Sequence, residues 1–261
     1  KPQGVIMVLR FLGRKLVRSA LIILIVASLI AYLIPLDIKP PIALGTQWTY
    51  HYIEKLSSGG TLSSVYEADW RYLVVNFLQD TAYVEINSTS RLKYRLENGS
   101  WAEVNAAESW WSIANIKTRL SGYDFFCSWW VPVNLQLGDT VPVWNLNLKV
   151  TGLTWRIAGG RLLECWVLEG GTPQEAYTFY YDRTTGFFIH LAIKYAYSNA
   201  EMLIERTLIN TNFPWPALSF IRPLLTPTVI GAAALLLPPL IVKMIKRARR
   251  PKKKLPERLI F

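Results

Sequence analysis

Gln47-Trp48-Thr49-Tyr50-His51-Tyr52-Ile53 alternates along its length, with Trp48, Tyr50 and Tyr52 falling on one face. A period of two is that of a strand with one buried side, and aromatic and β-branched residues suit such a surface. Working outward, Ser57 to Gly60 (SSGG) reads as a turn, and strand-like runs follow at Val65–Glu67, Arg71–Leu78, Ala82–Asn87 and Arg91–Leu96. Asn98-Gly99 predicts a tight hairpin of type I′. Ala106 to Leu120 reads as one short helix, because Trp110, Ile113, Ala114 and Ile116–Leu120 roughly follow helical spacing and Gly122 can stop it. The strand pattern resumes at Tyr123–Val131 and continues to Ile209, punctuated by Gly159-Gly160, Gly170-Gly171 and Ser198-Asn199. Many short strands at regular spacing predict an all-β domain, either an antiparallel sandwich or an open half-barrel sheet.

Two segments carry a further resemblance. Leu44-Gly45-Thr46-Gln47-Trp48-Thr49-Tyr50 and Tyr181-Asp182-Arg183-Thr184-Thr185-Gly186 resemble the G-x-x-W-x-Y and Y-D-x-x-T-G pattern of uncharacterised extracytoplasmic β domains, many of them archaeal and membrane-anchored. Some of those are similar to the half-barrel of lipoprotein carriers. The resemblance implies a fold and carries over no catalytic residue.

Both flanks of this region are apolar. Residues 20–36 are uncharged and follow a basic start, and they lack a small-residue cleavage site, which predicts a retained signal anchor. From Pro223 to Val242 there is again no charge, enough for a membrane-spanning helix, and eight Lys and Arg follow between Lys243 and Lys254. Basic residues beside a span favour the cytoplasmic side. The predicted organisation is therefore a cytoplasmic basic stretch at 1–18, a transmembrane helix at 19–36 and an extracytoplasmic β domain at 37–216. A second transmembrane helix at 217–243 and a cytoplasmic basic tail at 244–261 complete it.

The 261-residue chain has a net charge of +11, yet residues 19–242 hold 15 basic and 17 acidic residues. A nucleic-acid binder needs its positive charge on the folded domain. Here the excess lies beside the spans, so the expected partners are the bilayer, anionic lipid headgroups at the tail and other membrane subunits, not nucleic acid.

Chemistry-bearing motifs are sparse. Cys127 and Cys165, the only cysteines, predict a disulfide in an oxidising compartment. His51 and His190 stand apart with no metal-ligand spacing around them, and no cofactor or catalytic motif is present. Glu67 and Asp69 read as a solvated strand face, and an enzyme would need a concave pocket that gathers a histidine with carboxylates. Asn87-Ser88-Thr89 and Asn98-Gly99-Ser100 are N-glycosylation sequons on predicted turns. Neighbours in a strand face opposite ways, so one of Trp129 and Trp130 should point away from the core, either as an interface candidate or under a second layer or the helix. Trp215 belongs at the bilayer interface, and Arg222 should reach the outer headgroups. Pro227, Pro238 and Pro239 break the second span and suggest neighbouring helices. The expected function is a non-catalytic accessory subunit of a membrane complex; the alternative is an anchored module that binds a lipid or small apolar ligand.

Overall fold

The computed structural model describes residue 26, residues 42–122 and residues 125–224. The chain divides into two compact units, Pro35–Pro223 and a second made of Lys1–Ile34 with Leu224–Phe261. The first is the β domain. Most of 19–36 and of 217–243, with Pro227, Pro238 and Pro239, lies outside the described residues. Among the described residues no helix is long and apolar enough to cross a membrane.

The domain is one open antiparallel sheet, not a sandwich. Its strands are β1 (Gln47–Ser58), β2 (Thr61–Leu78), β3 (Thr81–Arg95), β4 (Trp101–Asn115), β5 (Thr140–Val143), β6 (Leu146–Ala158), β7 (Arg161–Thr172), β8 (Glu175–Asp182), β9 (Phe188–Ala196) and β10 (Ala200–Thr211). They lie in the order β4-β3-β2-β1-β10-β9-β8-β7-β6-β5. Two meanders are thus joined where β10 pairs with β1, for example Tyr52 opposite Arg206. Helix α1, residues 217–224, follows β10.

The segment expected to be helical is strand β4. It pairs with β3 along its whole length, from Thr81 opposite Asn115 to Arg95 opposite Trp101. Ala106-Ala107-Glu108 favour a helix locally, but the preceding hairpin sets β4 against β3, and pairing overrides that weak preference. The hairpin also differs from type I′. Gly99 has φ +84° while Asn98 is not in the left-handed region. Gly99 N–H donates to Leu96 O and Leu96 N–H to Ser100 O, the three-residue loop with a glycine bulge. Asn87 sits inside β3 and not on a turn.

Residues 125–131, read from sequence as part of a strand, instead cross one face of the sheet as a plug. Phe126 exchanges backbone hydrogen bonds with Trp144. Further on, Phe188 N–H donates to Trp129 O and Val131 N–H to Gly186 O. Arg119 holds the plug from beneath. Its Nε donates to Trp130 O at 2.9 Å and its Nη2 to Pro142 O at 2.9 Å. Trp129 then packs edge-on against Trp48 at 5.5 Å and Tyr72 at 5.8 Å. Trp129 and Trp130 are both buried, so neither points outward. The adjacent pair escapes strand alternation because it lies in a loop between two layers.

The opposite face of β8–β10 is covered as well, which explains why Phe188, Ile189, His190 and Leu191 are buried in succession. The β6–β7 hairpin reaches across it, and Gly159 N–H donates to Leu208 O.

Candidate functional site

The plug covers only part of its face. Register places the side chains in rows that run across β1, β2, β3 and β4. One covered row is Trp48, Tyr72, Ile86 and Trp110, and Trp48, Tyr72 and Ile86 are buried. Beyond it lies Tyr50, Trp70, Ser88 and Glu108, then Tyr52, Ala68, Ser90 and Ala106, then Glu54, Tyr66, Leu92 and Val104. Ala68, Ser90 and Ala106 are small, so their row is a low floor beside the bulkier Tyr66, Leu92 and Val104. Leu92 is 36% and Val104 52% exposed. An aromatic ladder crosses this trough: Tyr66 to Tyr52 at 5.6 Å, Tyr52 stacked on Trp70 at 5.1 Å, and Trp70 edge-on to Trp110 at 5.9 Å. Aromatic rings left open along a strand face are a large apolar surface with fixed shape.

Arg206 closes the covered end. It is buried, and its guanidinium lies 4.7 Å from the Phe188 ring centre, 5.3 Å from Tyr50, and 5.9 Å from Trp70 and Trp144. Its Nη2 donates to Ser128 Oγ at 3.3 Å. Burial raises the Tyr50 hydroxyl well above its ordinary pKa, with Arg206 pulling against that shift. The carboxylates in these rows are Glu54, which accepts a hydrogen bond from Tyr52 OH at 2.9 Å, and Glu108, exposed on the edge strand β4.

A second polar cluster lies under α1. Asp182 is fully buried at the end of β8, and its Oδ2 accepts from Thr185 N–H and Thr185 Oγ1 at 2.7 Å each and from Ser219 Oγ at 3.3 Å. Arg222 donates to Arg183 O at 3.2 Å, and Arg183 pairs with Glu164 at 2.9 Å. Burial pushes the Asp182 carboxyl up to about 6. Gly186 ends the turn with φ +69°, and a Cβ there would sit 2.0 Å from Val131 O. One tight turn therefore holds the plug on one side and α1 on the other.

A groove of about 300 Å³ on the polar side gathers His51 with Glu67, Asp69 and Arg91. His51 Nδ1 lies 2.7 Å from Asp69 Oδ1, and Arg91 donates to Glu67. His51 meets Asp69 and Arg91 meets Glu67, and none of the four is buried, which is the arrangement of a solvated face. His190 is separate: Nδ1 meets Thr207 Oγ1 at 2.7 Å, and burial, with Arg156 nearby, lowers its pKa to about 4. Among the described residues no group of His, Cys, Asp and Glu could hold a metal ion.

Several other expected site residues sit elsewhere than predicted. Cys127 and Cys165 are buried free thiols, not a disulfide. Cys165 lies between Thr154 and Asp182 in the sheet, while the Cys127 sulfur accepts Trp129 N–H in the plug. Burial pushes Cys127 up to about 12 and raises Cys165 strongly. Trp215 is buried against Phe187 and Phe213, and Arg222 bonds to the β domain, so both are covered by their own chain. Asn87 and Asn98 are exposed. Arg206, Trp70 and Tyr66 were not singled out from sequence; for Tyr66 and Trp70 the available signal was the alternation Tyr66, Ala68, Trp70, Tyr72 along β2, and for Arg206 there was none.

No family model matches the chain, and no curated protein matches it. Among solved structures it is similar to an exported protein with a YmcC-like fold from Bacteroides fragilis, at 10% identity and a TM-score of 0.30, over 67% of this chain and 99% of that one. A lipoprotein from Parabacteroides distasonis matches at 11% identity and 0.26, over 68% and 100%. MucB, in its complex with MucA(peri), matches at 17% and 0.26, over 66% and 52%. Likeness at this level assigns no activity.

Proposed function

We propose that the β domain is a non-catalytic, extracytoplasmic binding module for an apolar or amphipathic ligand, held at the membrane by the flanking apolar segments. The observation that supports this most is the uneven cover of one sheet face. The plug buries Trp48, Tyr50 and Tyr72, whereas the adjoining trough of Tyr52, Tyr66, Leu92 and Val104 has no cover among the described residues. Apolar burial stabilises by roughly 25 cal/mol per Å², so a chain-like ligand on this floor gains affinity without rearranging the sheet. Full-length protein extracted in mild detergent should release a lipid-class small molecule on mass spectrometry, and L92D/V104D should lose it. Absence of any co-purified molecule from the unaltered protein would overturn the reading.

A second reading, an accessory subunit of a membrane complex, draws on edge strand β4. It is 15 residues long, pairs with β3 alone among the ten strands, is bridged on its other edge at Ala114 by Ser121, and exposes Trp101 and Trp111. A free edge of this kind can receive another strand. Migration as a lone monomer on a native gel after gentle solubilisation counts against that role.

A further inference from the structure

Arg119, Arg206 and Arg222 are buried and Arg183 is nearly so, and they differ in how their charge is met. Arg222 donates to Arg183 O and to Thr184 Oγ1. Arg183 pairs with Glu164. Arg119 donates to the carbonyls of Trp130, Cys127 and Pro142. Arg206 has none of these arrangements. Among the described residues no ion pair includes it, its Nε has no hydrogen-bond partner, and its exposure is 7%. The indole Nε1 of Trp70 beside it is also buried without a partner. Aromatic rings offset part of the desolvation of a guanidinium. They supply no counter-charge, and a buried cation without one is costly.

Resting on the trough reading above, we infer that Arg206 is the headgroup receptor of the trough, and that the ligand is an amphiphile with a single anionic head. Arg206 lies opposite Tyr52, at the boundary between the plugged and open halves of the face. A carboxylate or phosphate placed there is offered the Arg206 Nε and the Trp70 Nε1, two buried donors without a partner, the guanidinium carbon lying 5.9 Å from the Trp70 ring centre. Its competitors for the guanidinium are neutral hydroxyls, Ser128 Oγ at 3.3 Å and that of Tyr72. Its chain then runs over Ala68, Ser90 and Ala106 along Tyr66, Leu92 and Val104. Neither carboxylate of these rows blocks this: Glu54 accepts from the Tyr52 hydroxyl, and Glu108 is exposed on β4, four strands away from Arg206 on β10. Charge-assisted hydrogen bonds to a guanidinium in a low-dielectric cage are stronger than neutral ones, which favours an anion over an alcohol of equal chain length.

The test is native mass spectrometry of the full-length protein released from maltoside micelles with equimolar hexadecanoate, hexadecyl phosphate and hexadecanol. The expected result is about tenfold more adduct with an anionic head than with hexadecanol, a difference near 1.4 kcal/mol. Whether carboxylate or phosphate dominates separates a free fatty acid from a phospholipid headgroup. R206M should lose the preference and keep the hexadecanol adduct; R206K, which retains a charge on a flexible stem, should keep the preference in part and serves if R206M does not fold. Equal binding of all three by the unaltered protein overturns the headgroup inference and leaves the trough standing. No adduct of any kind overturns the trough, and the inference with it.

Discussion

Trp129→Ala is the sharpest perturbation of the fold as described. Trp129 is 6% exposed, with Trp48 at 5.5 Å, Tyr72 at 5.8 Å and Trp130 at 6.3 Å. Removing a buried indole costs on the order of 3–5 kcal/mol through lost transfer energy and the cavity left behind. Here that range already includes the edge-on ring contacts, worth roughly 0.5–1.5 kcal/mol each, so about 4 kcal/mol is expected. Collapse into the space is limited, because the Arg119 guanidinium donates both to Trp130 O of the plug and to Pro142 O of β5, tying one to the other. The assay is urea unfolding of the full-length protein in detergent, followed by near-UV circular dichroism. Trp129→Phe, which keeps an aromatic ring, should lose about half as much. A loss below about 1 kcal/mol for Trp129→Ala, the size of an ordinary surface change, would return Trp129 to the outward position expected from strand alternation and remove the plug from the core.

Other outcomes follow from the same structure. Gly186→Ala should lower the melting temperature more than Gly159→Ala, since both have positive φ but only position 186 drives a Cβ to 2.0 Å from a carbonyl oxygen. Cys127 and Cys165 should resist alkylation in the native protein, and both should react in denaturant without reductant; failure to react there would restore the disulfide. Asp182 and His190 should oppose each other with pH. The folded carboxyl titrates near 6, above its ordinary 3.8, so its contribution is full below that value and is lost as pH rises through 6, by roughly 3 kcal/mol. His190 is held at about 4, below 6.5, so its contribution is full above 6.5 and is lost as pH falls through 4. D182N should therefore melt at progressively lower temperature from pH 6.5 to 4, whereas the unaltered protein should be nearly flat; equal slopes would contradict the assignment.

How much of this could be read in advance depended on how local the cause was. Trp48, Tyr50 and Tyr52 alternate because one strand face is buried, and the turn from Asp182 to Gly186 is held by side chains within a few residues, so both were legible. Strand β4 was not, because Ala106-Ala107-Glu108 carry a helical preference that only pairing with β3 defeats. Phe125 to Val131 reads as a strand in composition, yet its partners are short stretches at Trp144 and at Gly186–Phe188, far away in sequence. Arg206 was one of 15 basic residues in a nearly neutral region. Only the joining of β10 to β1 sets Tyr50, Trp70, Trp144 and Phe188 around it. The trough was half visible: alternation placed its rings on one face, but which rows the plug leaves open is a property of the tertiary path.

The most direct test of the binding reading is photo-crosslinking of full-length protein in detergent with an alkyl probe that carries a diazirine in mid-chain, mapped by peptide mass spectrometry. Adducts concentrated on Tyr52, Tyr66, Leu92 and Val104 are the predicted result. Adducts confined to other exposed apolar side chains, such as Trp155 and Ile157 on β6, with none in the trough, would contradict it.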